Sequence, residues 1–370
     1  MMKAQDLRGL VQPPAITDLV AALEQLPPGE RARFDRLLHV SESTGLLVPP
    51  DAMRPWIESL FGSVAAVEEQ KIVKITNLVT FEGTLFNALR SSRPMPTSAG
   101  DGLDEIASSN EGDPFCRPEH GTPEDIFGRI EGSHAITASN VAKYDAFHGV
   151  VIYDNHNPLQ FSRDAIVDYL EVGLRWGEAA LEADPAARYF FFMWNCLWKS
   201  GASILHGHAQ VAATRDMHYA KVEHLRRAAL AYRAGCGANF FQDLYAAHAV
   251  VGLTLERSGV HLMASLTPIK EKEVWLFAEN VGPDLGEGIY RVLDCYVNQL
   301  GVASFNVVLY LPPLAPVAED WSGFPVIARI VDRGQLRNRT ADMGAMELYA
   351  SSVVSSDPFK LMDYLRGTFV

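Results

Sequence analysis

Cysteine is scarce in this sequence, and long apolar runs are missing from it. Its 370 residues include only four cysteines, widely spaced and without a CxxC pair, which argues against a disulfide framework and indicates a reducing compartment. No stretch approaches the roughly 18 consecutive apolar residues that span a bilayer, because Arg188 and Asn195 interrupt the most apolar region, 187–198. The first residues show no apolar core of a secretion signal. These absences predict a cytoplasmic protein that does not bind membranes.

Positive charge is also in short supply. The chain carries 32 basic against 45 acidic residues, a formal charge of −13, and its pI is about 5.3. A field of this sign repels phosphate backbones, so nucleic acid is not expected as a partner. A free nucleotide is a different case, since a few well-placed cations suffice to bind a small anion.

The spacing of apolar residues predicts an α+β fold with two related halves. The order strand, helix, strand, strand occurs once before residue 215 and more weakly after residue 260. A stretch rich in Pro, Gly and Ser, 91–128, is long for a connection and indicates a functional or disordered loop. The predicted units are an N-terminal helical extension (1–65), a first half (66–215) and a second half (216–370). The predicted helices are 16–26, 29–38, 52–60, 161–184, 219–234, 240–258, 285–300 and 357–365; the predicted strands are 148–153, 189–194, 203–213, 261–268, 273–277 and 304–311, with 71–81 strand-like or irregular.

The segment Ser203-Ile-Leu-His206-Gly-His208-Ala-Gln210 carries the strongest chemical signal. Alternate side chains of a strand face the same way, so His206, His208 and Gln210 would share one face. Burying three such polar groups without partners would be costly in free energy. The segment therefore indicates a functional site; the alternative is two structural histidines on an ordinary strand.

These side chains suit chemistry at phosphorus. A neutral imidazole, with an ordinary pKa of about 6.5, attacks an α-phosphorus without first losing a hydroxyl proton. The product is a labile phosphoramidate. The amide of Gln210 would bond the non-bridging phosphate oxygens in the transition state. The second ring nitrogen of His208 would need an acceptor that fixes its tautomer, and we expect a backbone carbonyl.

The spacing His206-Gly-His208-Ala-Gln210 resembles the HxHxQ signature of the transferase branch of the histidine-triad superfamily. That branch includes galactose-1-phosphate uridylyltransferase, diadenosine tetraphosphate phosphorylase and GDP-hexose phosphorylases. Only HxHxQ is specific by itself. Weaker matches follow in order from Phe81 to the C-terminus: 86–94, with Arg93 and Pro94, resembles the NPL…R…RP segment, 113–116 the DPxC element, Ser139-Asn140 the TND segment, 150–156 a strand ending in a ligand histidine, and 344–350 the GYEMLA segment.

The resemblance implies two fused histidine-triad-like halves, each an antiparallel sheet with packed helices, and a nucleotidyltransferase activity. His208 would be the nucleophile that carries a nucleoside monophosphate from a nucleoside diphospho-compound, such as a nucleotide sugar, to a phosphorylated acceptor. Gln210 would be its partner on the phosphate side. Related transferases form dimers, so a homodimer is expected.

Further site residues follow from the same resemblance. Asn195 and Ser203 match donors around the phosphates, Gly201 matches a family glycine, and Asn140 matches a base or ribose contact. Lys199 has no counterpart in the family. It would either neutralise a β-phosphate or be a solvated loop lysine.

A structural zinc ion is also implied, with no organic cofactor. Cys116, His156 and His206 match three zinc ligands of many uridylyltransferases. The family's second cysteine is missing, so Glu119 or His120 would have to complete the site, which zinc chemistry allows. The alternative is a free buried cysteine and two hydrogen-bonding histidines.

The second half departs further from the family pattern. His261 matches a metal-binding histidine of some relatives, but the HxH expected on a later strand reads Asn-Val-Val at 306–308, and Ala341 and Val353 replace residues that grip the hexose phosphate. We therefore expect one active site per chain and no second metal site. The loss of the residues that grip the hexose phosphate also argues against galactose 1-phosphate as the acceptor. The cations available instead are Lys270, Lys272, Arg333, Arg337 and Arg339; the alternative for each of them is an ordinary surface charge.

Several activities remain open at this point. Nucleotidyl transfer, phosphorolysis of a dinucleoside polyphosphate or nucleotide hexose, and hydrolysis differ only in the attacking group. A nucleotide-binding protein without activity is the alternative from another class, and the intact His206, His208 and Gln210 argue against it. A metal-dependent hydrolase is disfavoured because no HExxH or carboxylate cluster accompanies the histidines.

Overall fold

The computed structural model describes residues 9–92, 113–338 and 343–369. Arg93, Pro94, Arg339 and Ala341, which entered the sequence interpretation, lie outside these ranges. Within them, no helix is both long and apolar enough to cross a bilayer.

The described chain alternates helices and short strands, as an α+β fold requires. The strands are β1 Leu38–Leu46, β2 Glu69–Asn77, β3 Gly83–Phe86, β4 Ala135–Ser139, β5 Phe147–Tyr153, β6 Tyr189–Cys196, β7 His208–Thr214, β8 Thr254–Arg257, β9 Val260–Ala264, β10 Val274–Ala278, β11 Phe305–Tyr310, β12 Val326–Asp332 and β13 Ser352–Val354. The α-helices are α1 Leu19–Leu23, α2 Pro28–Leu37, α3 Arg54–Phe61, α4 Val64–Glu68, α5 Pro118–Gly121, α6 Arg163–Ala183, α7 Ala220–Cys236, α8 Phe240–Ala249, α9 Pro283–Asp294, α10 Ala345–Tyr349 and α11 Pro358–Thr368.

A nine-stranded antiparallel sheet forms the centre of the molecule, in the order β4-β5-β7-β6-β11-β12-β10-β9-β8. The order β4-β5-β7-β6 at one end recurs as β9-β10-β12-β11, and the two sets meet where β6 pairs with β11. In each set a long helix, α6 or α9, connects the second strand to the third along the chain. The predicted α+β class with a large antiparallel sheet is confirmed.

Helix α6 covers one face of the sheet and leaves the other face for a site. Ser162 caps the helix by accepting a hydrogen bond from the Ala165 amide. Trp176, in the middle of the helix, packs so closely on Gly149 that a Cβ there would lie 2.6 Å from the indole nitrogen. Because strand side chains alternate, the neighbouring His148 of β5 faces away from the helix. Gln210, opposite Val150 in the register of β5 and β7, lies on the same open face.

A smaller sheet, β1-β2-β3-β13, packs beside the large one. β1 pairs with β2 from Leu38 opposite Asn77 to Leu46 opposite Glu69, and β3 pairs with β13 in parallel. The segment predicted as a helical extension is therefore helical only in part, because β1 belongs to it. Its buried Phe34 and Leu37 join the same hydrophobic core as the large sheet.

Several predicted elements have different bounds in the structure; for example, the strand predicted for 261–268 ends at Ala264. The helix predicted for 240–258 ends at Ala249, because Gly252 adopts a left-handed φ of +80° and the chain then turns into β8. The strand predicted for 203–213 begins only at His208. The preceding residues, 203–207, form an irregular connection.

Candidate functional site

His208 is the first residue of β7, and its ring is almost completely buried. Its Nδ1 lies 2.8 Å from the carbonyl oxygen of His206. Since a carbonyl oxygen only accepts, Nδ1 carries the proton and Nε2 holds a free lone pair. Burial lowers the pKa of His208, which keeps the ring neutral. The expected backbone acceptor is thus present.

His206 faces the same side although it lies outside the strand. The ring of Phe115 meets both histidines edge to face, with centroids 6.1 Å from His206 and 5.1 Å from His208. The Nε2 of His206 donates to the Tyr153 carbonyl at 2.8 Å. This leaves its Nδ1 as an acceptor on the other side of the ring. His206 therefore supports His208 through its backbone carbonyl, and its own ring points into a second cluster.

Gly207, between the two histidines, has no room for a side chain. A Cβ there would lie 2.9 Å from Cδ2 of Tyr153 and 3.0 Å from the carbonyl oxygen of Asn155. The backbone is held in this position by two hydrogen bonds, from the Tyr153 amide to the Gly207 carbonyl at 2.9 Å and from the Gly207 amide to the His156 carbonyl at 3.0 Å. The close approach of these segments sets the positions of both histidine rings.

Asp113, Cys116, His156 and His206 form a cluster of metal-binding side chains. The Cys116 sulfur lies 3.4 Å from Nδ1 of His156 and 3.5 Å from Nδ1 of His206, and the two nitrogens are 3.1 Å apart. A tetrahedral zinc ion, with bonds of about 2.3 Å to sulfur and about 2.0–2.1 Å to nitrogen, separates its ligand atoms by about 3.3–3.6 Å. The donor set and its spacing therefore fit zinc.

The fourth donor differs from the predicted one. Asp113 lies in the cluster, with a carboxylate oxygen 3.8 Å from Nδ1 of His156, whereas His120 and Glu119 are exposed on the short helix α5 and do not belong to it. Asp113 accepts a hydrogen bond from the Phe115 amide at 2.8 Å and so begins the turn that carries Cys116. The relevant signal in the sequence is the aspartate of the DPxC element itself.

Gln210 is joined to a histidine that the sequence interpretation did not assign to the site. Its Oε1 lies 2.9 Å from Nε2 of His148, which is fully buried. Asn140 approaches the same nitrogen, with its amide nitrogen at 3.4 Å. A polar residue at the start of the apolar strand His-Gly-Val-Val-Ile-Tyr is the signal that could have revealed His148. Asn140, His148 and Gln210 are thus brought together.

Asn195 lies on the same face of the sheet, in β6. The ladder between β6 and β7 ends at Met193 opposite Gln210. Because the strands are antiparallel, the next residue on the same face is Asn195 in β6 and His208 in β7. The Asn195 oxygen accepts from the amide of Asn306 in β11 at 2.6 Å, and the guanidinium of Arg333 bonds the other end of Asn306. The asparagine found where the sequence lacks an HxH therefore ties the two parts of the sheet together beside the site.

The connection between β6 and β7 is a tight turn. Leu197 has a left-handed φ of +64°, and its carbonyl accepts from the amides of Ser200 and Ala202 and from the Ser200 hydroxyl. Such a backbone, unusual for leucine, persists only where its surroundings hold it. Lys199 is half-buried in this turn, and Gly201 and Ser203 are exposed. The described contacts do not join these three residues to His208.

Two cavities adjoin the cluster of Asp113, Cys116, His156 and His206. One has a volume of about 360 Å³ and is lined by residues including Phe115, Ile152 and His206. The other has a volume of about 750 Å³ and shares His134, Asp154 and His156 with the first. Both are within the range of about 300–1,000 Å³ typical of small-ligand pockets.

The matching face of the second strand set is filled by side chains. Arg329 of β12 is buried with its guanidinium 4.1 Å from the centre of the Trp275 ring. It forms ion pairs with Glu273 at 2.6 Å and with Glu82, which precedes β3 of the small sheet, at 2.8 Å. An internal ion pair and the small sheet therefore cover this face.

No family model matches the sequence, and no curated protein matches it. Several solved structures do share its fold. An ADP-glucose phosphorylase from Arabidopsis thaliana with bound ADP-glucose superposes with a TM-score of 0.60 at 16% identity, over 78% of this chain and 96% of that one. A GalT-like protein from the same plant gives a TM-score of 0.56 at 16% identity over 69% and 92% of the two chains. A uridylyltransferase gives 0.53 at 14% identity over 67% and 88%.

Identities this low establish a common fold and leave activity open. The structural neighbours are nucleotide-processing enzymes, transferases and phosphorylases. The resemblance that the HxHxQ spacing suggested is therefore confirmed at the level of structure: the chain has the α+β fold of GalT-like uridylyltransferases and of ADP-glucose phosphorylase.

Proposed function

We propose that the protein is a nucleotidyltransferase that passes a nucleoside monophosphate through a covalent intermediate on His208. The observation that carries the proposal is the state of that ring. It is buried and neutral, and its proton is held on Nδ1 by a backbone carbonyl, so Nε2 is an available nucleophile. An ordinary structural histidine has no need of such an arrangement beside a glutamine on an open sheet face.

The reaction would take place in two displacements. Nε2 of His208 attacks the α-phosphorus of a nucleoside diphospho-compound, the bond from that phosphorus to the bridging oxygen breaks, and the second phosphate leaves with its substituent. An oxygen of a phosphorylated acceptor then attacks the same phosphorus, the P–N bond breaks, and the neutral imidazole is restored. The amide of Gln210 donates to the non-bridging oxygens, where charge moves in both steps.

The remaining candidate residues are assigned to binding. We infer that Asn195, Gly201 and Ser203 surround the phosphates, that Lys199 neutralises the leaving phosphate, and that Asn140 contacts the base or ribose. The support is the sheet face shared by Asn195 and His208 and the approach of Asn140 to His148.

The substrate class we favour is a nucleotide sugar. The match to a phosphorylase with bound ADP-glucose, over 96% of that chain, makes phosphorolysis the second candidate, with inorganic phosphate as the acceptor. Phosphorolysis or hydrolysis of a dinucleoside polyphosphate by this chain would use the same intermediate on His208. The intact pair of His208 and Gln210 argues against a binding protein without activity.

Zinc, when bound, would be structural and would supply no chemistry to the reacting phosphorus. Asp113, Cys116, His156 and His206 would hold it. By fixing the ring of His206, the cluster would also fix the carbonyl that holds His208.

We also propose that the chain consists of two fused histidine-triad-like halves, 66–215 and 216–370, after an extension, 1–65. The recurring strand order supports this division. The buried Arg329 fills the position where the second half would hold its own site, so we propose one active site per chain. A cytoplasmic homodimer without nucleic-acid or membrane partners completes the proposal, and light scattering at micromolar concentration tests the dimer.

The decisive experiment is detection of the intermediate. The protein is mixed with UDP-, GDP- and ADP-sugars and with dinucleoside polyphosphates, and its intact mass is measured. One nucleoside monophosphate adduct per chain, lost on addition of a phosphorylated acceptor or phosphate, is the expected result. Failure of every donor to give an adduct, with folded zinc-replete protein, would contradict the proposed function. Two adducts per chain would contradict the single site.

A further inference from the structure

Both ring nitrogens of the buried His148 have hydrogen-bond partners, and the partners fix where its proton lies. Nδ1 accepts from the backbone amide of Tyr144 at 2.9 Å. Because a backbone amide nitrogen only donates, this ring nitrogen must offer its lone pair. A neutral His148 therefore carries its proton on Nε2. Burial lowers the pKa of His148, which favours the neutral ring.

The proton on Nε2 in turn determines how the Gln210 amide is oriented. Nε2 of His148 lies 2.9 Å from Oε1 of Gln210, so the ring donates to the amide oxygen. The Asn140 side-chain nitrogen, 3.4 Å from the same Nε2, is also a donor and therefore makes no hydrogen bond to it in this tautomer. The amide nitrogen of Gln210 then points the other way. Among the described residues it has no hydrogen-bond partner. A phosphate oxygen accepts hydrogen bonds, so only this orientation of Gln210 can bind it.

The hairpin between β4 and β5 holds His148 in place. The Tyr144 ring stacks on the imidazole, with centroids 4.2 Å apart and planes 17° apart. The backbone amide of Asn140 and the side-chain ammonium of Lys143 donate to the backbone carbonyl of His148, at 2.9 Å and 3.2 Å. Lys143 in turn lies 3.6 Å from the Asp125 carboxylate, so the hairpin is tied to the chain before β4.

We propose that His148 is a positioning residue that orients the Gln210 amide toward the transferred phosphate. The order of donation runs from the Tyr144 backbone through the imidazole to the amide oxygen, and leaves the amide nitrogen for substrate. This inference rests on the proposed nucleotidyl transfer. It adds that a hairpin outside the HxHxQ segment determines which end of Gln210 the substrate meets.

Kinetics of adduct formation test this role. Replacing His148 by Phe keeps the ring and removes the donor, so the amide is free to present its oxygen. We expect the rate of adduct formation at saturating nucleotide substrate to fall about 10–10²-fold, with KM little changed. This loss is smaller than the 10²–10³-fold expected for Gln210→Ala, which removes a hydrogen-bond donor to the transition state. His148→Gln, whose amide nitrogen reaches the place of Nε2, should restore most of the rate. In a Gln210→Ala background, His148→Phe should produce no further loss.

A structural control and an activity-independent measurement complete the test. His248→Phe removes another fully buried histidine, which bonds the Leu244 carbonyl and the Leu266 amide; it should lower the unfolding midpoint and leave the rate unchanged. Proton–nitrogen NMR of the free protein should show His148 with its proton on Nε2. Additive losses in the double variant, full activity of His148→Phe, or a proton on Nδ1 would each overturn the inference. Absence of any adduct from the wild-type protein would instead contradict the proposed function. The NMR measurement would still determine which nitrogen of His148 carries the proton.

Discussion

Gly207→Ala is the change that most directly tests how the nucleophile is positioned. The new Cβ would lie 2.9 Å from Cδ2 of Tyr153 and 3.0 Å from the carbonyl oxygen of Asn155. Ordinary van der Waals contact needs about 3.5–4.0 Å. Tyr153 is fully buried and stacked on Tyr169, and the Asn155 oxygen belongs to the backbone, so neither can move aside without disturbing its neighbours.

The chain between His206 and His208 must therefore shift by about 0.5–1 Å to relieve these contacts. Overpacking of this kind costs about 1–3 kcal/mol of stability. The shift also falls on the residue that links the His206 carbonyl to the His208 ring, and a displacement of about 1 Å can slow a positioned reaction by about 10²-fold. We expect both effects together, with the rate affected even under conditions where the variant is fully folded.

The assay compares two alanine variants. Gly235 lies near the end of α7 with open space around its missing Cβ, so Gly235→Ala should be neutral or stabilise by about 0.4–1 kcal/mol and form the adduct at the wild-type rate. Stability is measured by urea denaturation and adduct formation by rapid-quench intact mass. A Gly207→Ala variant with wild-type stability and rate would refute the reasoning that close backbone approach positions His208.

Three further predictions concern the nucleophile, the metal cluster and pH. His208→Ala should abolish the adduct while the unfolding midpoint stays unchanged, and added imidazole should partly rescue His208→Gly; a His208→Ala variant with normal turnover would exclude the mechanism. Elemental analysis should find one zinc per chain, lost in Cys116→Ala and weakened in Asp113→Asn, with His120→Ala as the unaffected control; freshly purified protein without zinc would rule out the site. Burial lowers the pKa of His248 to about 4, below the ordinary value of about 6.5. Between these two pH values the unfolded chain binds a proton at His248 that the folded chain does not bind. The free energy of unfolding should therefore fall as the pH drops below about 6.5, by up to about 1.4 kcal/mol per pH unit. Equal urea midpoints at pH 7.5 and pH 5 would contradict this.

Much of the fold could be read from local patterns, and the failures have identifiable causes. The spacing of apolar residues located α6 to within two residues at its start and one at its end, because one helical stripe packs on the sheet. β1 was missed because its central residues, Ser-Glu-Ser-Thr, are polar and none of them is buried. The helix at 240–258 was extended too far, since the apolar residues after Gly252 continue a helical spacing into β8.

The sequence was enough to identify the side chains of the candidate site, because the HxHxQ spacing brings two histidines and an amide together within five residues. It could not determine the partners of those residues. His148 meets Gln210 because β5 pairs with β7, and Asp113 reaches His206 from a turn that precedes β4. Asn306 meets Asn195 because β11 pairs with β6, so all of these contacts join residues distant along the chain. Likewise, only the tertiary structure placed Arg329 and Glu273 where a second site would lie. Local spacing specifies which atoms a short segment presents, and here it also supplies the His206 carbonyl that holds the proton on His208. The folded sheet decides what those atoms face, and at this site it brings His148 of β5 to Gln210.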